Sequence, residues 1–160
     1  MSLEKVTAHL EAFGLADRII IPRESSATVS EAAAALGCKE AEIAKTMSFI
    51  VEASPIIIVM AGDAKTDNGK YKAFFHTKAA MIKPEDVENL LGHPVGGVCP
   101  FALPSSVPVY LDESLRRFEI VYPAAGTRNS AVKLTISELE KASGVKEWID
   151  VCKGWQEDGN

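Results

Sequence analysis

Apolar and polar positions recur along the chain with the periods of helices and strands, and the first third predicts two helices around a strand. Apolar residues at helical spacing indicate a helix over 3–13. The apolar run at 18–22, closed by a proline, predicts a short buried strand. Thr28 and Glu31 stand at capping-box spacing before four alanines, which predicts a helix that ends at Gly37.

The middle of the chain predicts the central strand of a sheet. A short helical turn at 39–45 leads into 46–53, where apolar and polar residues alternate as they do in a strand. The continuous apolar run at 55–63 is typical of a strand buried on both faces. The polar segment 65–72 predicts a solvated turn. Residues 83–92 predict a helix with a proline in its first turn and a glycine at its end.

The last third continues to mix strands with helices. Its predicted elements are a strand at 107–112, a short helix at 113–118, strands at 119–126 and 130–135, a helix at 136–144 opened by a second capping box, and a closing segment at 147–152. These elements do not follow regular strand–helix–strand units, so we expect one compact α/β domain over 1–153 with a mixed sheet. The polar residues 154–160 are expected to form a flexible tail.

Composition adds exclusions to this picture. The chain has 160 residues, of which 47% are hydrophobic and 24% charged, so it can bury the core of one domain. Its net charge of −5 argues against broad binding of nucleic acid, because proteins that coat phosphate backbones are usually basic. We therefore expect no DNA binding, although a few local cations would suffice to hold a short nucleic-acid end.

Cysteine spacing and sequence motifs exclude further classes. Cys38, Cys99 and Cys152 lie far apart without CxxC pairs, which supports neither a disulfide framework nor a zinc site. The phosphate-binding motifs GxxxxGK and GxGxxG and the nucleophile elbow GxSxG are absent from the sequence. No signal peptide or membrane-length apolar run occurs, so we expect a cytoplasmic protein without membrane segment, metal or cofactor.

The segment 93–104, "HPVGGVCPFALP", is the first candidate for chemistry. Gly96 and Gly97 allow close approach of another molecule, and Pro94 and Pro100 stiffen the flanks. A stiff loop with bare amides can donate N–H groups to a carbonyl or an oxyanion. The alternative is an ordinary turn between a helix and the strand that follows.

Two side chains are candidates for a direct chemical role. Lys45 precedes an apolar strand, where it could hold a carboxylate, phosphate or carbonyl, or could extend from a helix end into solvent. Cys99 lies six residues from His93, which could activate it as a nucleophile. Cysteine is also among the most buried residue types, which favours a structural role.

The segment 122–135, "YPAAGTRNSAVKLT", is the third candidate. Gly126 allows close backbone approach, and Arg128, Asn129 and Ser130 offer hydrogen-bond donors at the start of a strand. A hairpin turn is the alternative explanation.

Together, "IAKTMSFIV" at 43–51, "GGVCPFALP" at 96–104 and the segment 122–135 resemble the three signature segments of the YbaK/EbsC family. That family consists of free-standing aminoacyl-tRNA deacylases related to the editing domain of bacterial prolyl-tRNA synthetases. The resemblance implies a mixed β-sheet curled toward a barrel with surrounding helices. It also implies hydrolysis of the ester that joins a wrong amino acid to a tRNA, most often a proline tRNA carrying Cys, Ala or another small amino acid.

The resemblance also implies roles for individual residues. The implied catalytic residues are Lys45, Gly96 and Gly97, and the residues implied to contact substrate are Thr46, Pro100, Phe101, Gly126, Arg128, Asn129 and Ser130. The implied partner is the 3′ CCA end of an aminoacyl-tRNA, delivered by prolyl-tRNA synthetase or an elongation factor. The nucleophile would be water, the 2′-hydroxyl of the substrate or the thiol of its side chain.

Two positions depart from the pattern of the family. Ala102 stands where many relatives have glycine, and Ala124 stands where many have serine. The second difference removes a hydroxyl, which affects the amino-acid preference more than the reaction type. Two alternatives to a deacylase remain at this point. One is a non-catalytic module that binds amino acids or aminoacyl-tRNA, or regulates a synthetase, and the other is a hydrolase that uses Cys99 as its nucleophile.

Overall fold

The structure, a computed structural model, describes residues 2–23 and 28–155. Within those ranges the helices are α1 (Ser2–Glu11), α2 (Val29–Leu36), α3 (Asn68–Phe75), α4 (Pro84–Leu91) and α5 (Ile136–Ser143). The strands are β1 (Ile19–Ile20), β2 (Ile43–Val51), β3 (Ser54–Ala61), β4 (Lys65–Thr66), β5 (Val109–Asp112), β6 (Ile120–Pro123), β7 (Ala131–Val132), β8 (Leu134–Thr135), β9 (Glu147–Ile149) and β10 (Cys152–Lys153). None of these helices combines the length and apolar character that crossing a bilayer requires.

A six-stranded mixed sheet in the order β8-β6-β2-β3-β5-β9 forms a half-barrel with the helices around it. Strands β2 and β3 form an antiparallel hairpin, whereas β6, β5 and β9 join in parallel and β8 joins antiparallel. The apolar run of β3 lies in the middle of the sheet, and its residues from Ile56 to Ala61 are at most 5% exposed. The predictions of a mixed α/β sheet and of this central strand are therefore confirmed.

Strand β2 has a gap along the edge that faces away from β3. Its start pairs with β6 through Ile43 and Ala44. Further along, Ile82 N–H donates to Ser48 O at 3.2 Å, and Ile50 N–H donates to the carbonyl at position 80. Because alternate residues of a strand turn their main-chain groups to the same edge, Thr46 also points its N–H and C=O toward this gap.

Local signals account for the ends of the predicted helices. Thr28 and Glu31 form the expected capping box of α2, and Thr135 and Glu138 form that of α5. Gly37 ends α2 in a left-handed conformation. Strand β2 begins earlier than its alternating pattern indicates, so the predicted helical turn at 39–45 reduces to a 3-10 turn at Glu40–Glu42, and β2 contains Lys45.

The prediction of a solvated turn at 65–72 is wrong. Strand β4 occupies its start and pairs with β10, and α3 follows. Asp67 caps α3 by accepting from Lys70 N–H at 2.9 Å. Tyr71 is fully buried with its ring 5.2 Å from that of Phe49. Phe74 and Phe75 of the same helix also pack against the core, so three aromatic residues anchor α3.

The expected strand at 130–135 is divided. Strand β7 pairs with β1 in a small separate sheet, whereas β8 pairs with β6 in the main sheet. Between them, Lys133 N–H donates to Arg18 O at 3.1 Å.

The first two residues of the expected flexible tail, Gly154 and Trp155, lie among the described residues. Arg117 stacks over the Trp155 ring at 5.1 Å, and its guanidinium donates to Trp155 O at 3.2 Å. Trp155 is therefore packed on the domain. The remainder of the tail, 156–160, lies outside the described residues.

Candidate active site

A cavity of about 380 Å³ lies beside the gap in β2, between α2, α4 and the loop that contains the two adjacent glycines. Most of its lining is apolar. The polar residues in the lining are Thr28, Lys45, Thr46, Ser48, Tyr122 and Ser130. Its size falls within the range of about 300–1,000 Å³ that is usual for small-ligand sites.

Lys45 is among the residues that line this cavity, and its side chain is half-buried. Its Nζ donates to Gly62 O across 3.4 Å. The nearby Asp63 carboxylate is held by Arg117, through contacts of 2.6 and 3.0 Å. Among the described residues, no carboxylate lies within 4.0 Å of Lys45 Nζ. The ammonium group of Lys45 therefore has no salt bridge within the described ranges.

Burial lowers the pKa of Lys45 below its ordinary value of 10.5, and the positive charge of Lys65 lowers it further. The negative charge of Asp63 acts in the opposite direction without reversing the shift. A partly desolvated ammonium group without a counterion interacts strongly with an oxygen that carries or develops negative charge.

The two adjacent glycines have different roles. Gly96 lines the cavity, is exposed and has a φ of +91°, a conformation that favours glycine. Gly97 is buried, and its N–H donates to Pro94 O at 2.9 Å. The expectation that both amides are bare is therefore wrong for Gly97. In the part of the chain that the structure describes, the Gly96 N–H has no acceptor, which leaves it available to a ligand.

Gly97 and Gly126 allow three backbone segments to pack together. A Cβ on Gly97 would lie 2.5 Å from Gly126 O, and a Cβ on Gly126 would lie 2.9 Å from Ser2 O. Gly126 is buried and does not line the cavity. Its expected role in contacting substrate is therefore replaced by a role in packing the loop of 93–104 against α1.

Pro100 and Phe101 are also assigned to packing. Both are buried outside the cavity lining, and Phe101 is fully buried with its ring 5.8 Å from that of His9. Phe101 O accepts from His93 Nε2 at 2.7 Å. The structure therefore does not bring these two residues into the cavity lining, and their contact with substrate stays a prediction.

The segment after Gly126 divides in the same way. Ser130 lines the cavity, and its hydroxyl accepts from the Thr127 hydroxyl at 2.7 Å. Arg128 and Asn129 are exposed and lie outside the cavity lining. Arg128 Nε donates to Val95 O at 3.5 Å, which places its side chain over the loop rather than inside the cavity.

Cys99 is not a nucleophile in this structure. Its thiol is fully buried outside the cavity lining, and burial raises its pKa to about 12. His93 Nε2 lies 3.6 Å from Sγ but donates to Phe101 O, so that nitrogen carries a proton and cannot accept one from the thiol. The alternative of a hydrolase that uses Cys99 is therefore wrong.

Several residues of the cavity were not among the expected site residues. Ser48 lines it, and its place as a polar residue in a buried strand was the available signal. Met81 and Val95 line its edge and are 58% and 47% exposed. Ala124, where many relatives of the resembled family carry serine, also lies in the lining. The difference at Ala124 thus changes the wall of the cavity itself.

Ala102, the other departure from the resembled family, stands at a position whose backbone conformation favours glycine. Its φ is +53°, a left-handed conformation that glycine adopts without strain. Here the Ala102 N–H donates to His9 Nδ1 at 3.2 Å. His9 Nε2 in turn contacts Ala142 O at 2.6 Å, so this ring ties α1 to α5 and to the loop.

Comparisons with known proteins show to which family the chain belongs. Residues 23–142 match the family model of the aminoacyl-tRNA editing domain. The chain is 47% identical to YwhH, an uncharacterized protein of Bacillus subtilis (strain 168), over 98% of this chain and 100% of that protein. It is 23% identical to a proline--tRNA ligase of Streptococcus suis (strain 05ZYH33), over 84% of this chain and 22% of the ligase.

A solved structure gives the same result in three dimensions. The protein called "a putative trans-editing enzyme for prolyl tRNA synthetase" superposes on this chain with a TM-score of 0.86. The two are 29% identical, and the match covers 96% of this chain and 98% of that one. The chain therefore belongs to the aminoacyl-tRNA editing domain family and is an aminoacyl-tRNA deacylase.

Proposed function

We propose that this protein hydrolyses the ester of a proline tRNA that carries a small non-cognate amino acid such as Cys or Ala. The observation that carries the proposal is that Lys45, whose half-buried ammonium forms no salt bridge with a described residue, lines the same cavity as the exposed Gly96. Similarity to proline--tRNA ligases and to a structure named for prolyl-tRNA synthetase supports the choice of tRNA.

The reaction needs only modest help from the protein because an aminoacyl ester is already activated. In the direct route a bound water attacks the carbonyl carbon. Attack by the 2′-hydroxyl of the substrate or by a side-chain thiol would instead give a 2′-ester or a thiolactone, which water then hydrolyses. The carbonyl oxygen then gains negative charge, and the bond to the 3′-oxygen of the ribose breaks as the carbonyl re-forms. The proton lost by the nucleophile ends on that ribose oxygen. Holding the attacking group close to the carbonyl supplies much of the acceleration.

The protein's own groups act on the developing negative charge. The Gly96 N–H, which has no acceptor among the described residues, can donate to the oxyanion. The Lys45 ammonium stabilises the same charge or holds the terminal ribose or phosphate. We assign Lys45 to this role rather than to proton abstraction, because a general base would have to be neutral near pH 7.

The acidic net charge fits a contact restricted to the end of the tRNA. With a net charge of −5, the protein meets the phosphate backbone at few points, and prolyl-tRNA synthetase or an elongation factor delivers the substrate. Aminoacyl-tRNA is used in translation, so we place the protein in the cytoplasm. The affinity for tRNA alone should be weak and should depend only shallowly on salt, whereas a steep dependence would contradict this limited contact.

The test is a panel of proline tRNA charged with Cys, Ala, Ser or Pro. Loss of the amino acid is followed over time with the wild type, with Lys45→Ala and with Cys99→Ala. The proposal predicts faster loss of at least one non-cognate amino acid with the wild type and with Cys99→Ala, and slower loss with Lys45→Ala. If no charged tRNA is cleared faster than without protein, the alternative of a non-catalytic binding module replaces the proposal.

A further inference from the structure

The two-stranded ribbon formed by β4 and β10 carries two exposed lysines side by side. Lys65 of β4 pairs with Lys153 of β10, and Thr66 pairs with Cys152. Residues directly opposite each other in an antiparallel pair point to the same face, with their Cβ atoms about 4.5–5.5 Å apart. Cys152 is buried, whereas Lys65 and Lys153 are exposed, so the two ammonium groups extend together into solvent.

This pairing of like charges needs an explanation, because like charges directly opposite each other destabilise a sheet. Within residues 2–23 and 28–155, neither Lys65 nor Lys153 has a carboxylate within 4.0 Å of its ammonium nitrogen. The Asp67 carboxylate is close enough to respond to Lys153, but it caps α3. The pKa of Asp67 is lowered mainly by the Lys70 N–H that it accepts and less by the charge of Lys153. Departures from such a local rule concentrate at functional sites.

Neighbouring cations of the ribbon are used within the protein. Lys70 Nζ donates to Asp150 Oδ1 at 3.1 Å, and the Arg117 guanidinium holds Asp63 through contacts of 2.6 and 3.0 Å. The two lysines of the ribbon differ from these neighbours because no described residue pairs with their charge. On a chain with a net charge of −5, they form a local positive surface that suits an anionic ligand.

The ribbon begins next to the wall of the cavity. Gly62, three residues before Lys65, accepts from Lys45 Nζ at 3.4 Å. A Cβ on Gly62 would lie 2.9 Å from Val29 Cγ1, and Val29 lines the cavity. Three residues of extended chain span at most about 11 Å, so the Lys65 backbone lies within that distance of Gly62. The positive surface therefore adjoins the cavity that contains Lys45 in its lining.

We propose that Lys65 and Lys153 bind phosphates of the single-stranded 3′ end of the tRNA and so guide that strand from solvent to the cavity. This inference rests on the proposed deacylation and adds the route by which the substrate enters. Lysine is a compact charge on a flexible stem, and its contacts with phosphate position a strand without reading its bases. Two such contacts agree with the shallow dependence on salt expected for this acidic protein.

The test measures kcat/KM for a charged tRNA that the wild type clears, at several salt concentrations between about 50 and 200 mM. For single strands, the logarithm of an electrostatic binding constant falls with the logarithm of the salt concentration, with a slope of about −0.7 per phosphate contact. Lys65→Gln and Lys153→Gln should each make the slope shallower by about 0.7, and the double variant by about 1.4. At about 0.1 M salt, kcat/KM should fall by about 5-fold for each lysine removed.

Matched variants separate a local contact from an effect of net charge. Lys141→Gln removes the same charge at an exposed position of α5 outside the cavity lining, and it should keep the wild-type slope. Lys65→Arg keeps the charge and should also keep the slope, because arginine binds phosphate as well. Thermal unfolding checks that each variant is folded. Since each glutamine removes a repulsion, the Tm of Lys65→Gln and of Lys153→Gln should equal or exceed that of the wild type.

Each outcome decides a different claim. A wild-type slope in the folded double variant overturns the inference, because the two lysines then serve only to keep the ribbon from pairing with other strands. An equal change of slope in Lys141→Gln also overturns it, since the effect then comes from net charge. Either result leaves the proposed deacylation standing. If the wild type clears no charged tRNA, the proposed function fails and the inference fails with it.

Discussion

Gly97→Ala tests whether the two adjacent glycines serve different purposes. A Cβ at this position would lie 2.5 Å from Gly126 O, 2.7 Å from Gly126 C and 2.8 Å from Thr127 N. All three atoms belong to the backbone, so no side chain can rotate away. Ordinary contact begins at 3.4 Å, which means that the two loops must separate by about 0.9 Å to accommodate the methyl group.

The separation has a calculable effect on stability and on rate. Overpacking of a tightly packed region costs about 1–3 kcal/mol of unfolding free energy. For a domain of this size each kcal/mol lowers Tm by about 2–4 °C, so Tm should fall by about 2–12 °C. The neighbouring Gly96 amide moves with the loop, and a misplacement of about 1 Å can lower kcat/KM by about 10²-fold.

Thermal unfolding and deacylation of charged proline tRNA measure both effects. The matched control is Gly69→Ala, at the second position of α3, where the nearest atom to a new Cβ is the capping oxygen Asp67 Oδ1 at 3.3 Å, which has to move by only about 0.1 Å to reach ordinary contact. That variant should be as stable as the wild type or more stable by up to about 1 kcal/mol. Wild-type Tm and wild-type activity in Gly97→Ala would refute the reasoning, since the loops would then not be in backbone contact.

Three further predictions concern other residues. Burial lowers the pKa of Lys45 in the folded protein below the 10.5 of the unfolded chain, so the unfolded chain binds more protons between the folded and the unfolded pKa. The free energy of unfolding should therefore rise as the pH rises toward 10.5. Denaturant titrations at several pH values should show this rise in the wild type and not in Lys45→Met. Ala102→Gly should raise the unfolding free energy by about 0.5–1 kcal/mol, because Ala102 has a φ of +53°; an unchanged or lower value in urea unfolding would contradict this. Cys99→Ala should cost about 1 kcal/mol of stability yet keep deacylation within a few-fold of wild type, and complete loss of activity in a folded variant would restore the thiol mechanism.

The elements with strong local signals could be predicted from the sequence. The capping box of Thr28 and Glu31 and the glycine at 37 delimit α2, and the apolar run of β3 marks the middle of the sheet. Helix α3 could not be predicted, because Tyr71 is the only aromatic residue in the polar segment 65–72, and Phe74 and Phe75, which help to anchor the helix, follow that segment. Short-range pattern does not show which side of a polar segment meets the core.

The site could be predicted in part. The resemblance of the three segments placed Lys45, Thr46, Gly96 and Ser130 in one cavity, and the structure places all four in its lining. The resemblance did not distinguish the residues that line the cavity from those that pack the loops together. Gly97 has a buried amide bonded to its own loop and packs closely on Gly126, a contact between distant segments that a residue type cannot show.

The most direct test is the release of amino acid from charged proline tRNA by the wild type and by Lys45→Met, a variant of similar length without charge. The account predicts that the wild type releases at least one of Ser, Thr, Ala or Cys faster than the uncatalysed rate, and that Lys45→Met loses about 10²-fold or more of this acceleration. Equal rates for a folded Lys45→Met and the wild type would contradict the claim that the half-buried ammonium in this cavity performs the chemistry.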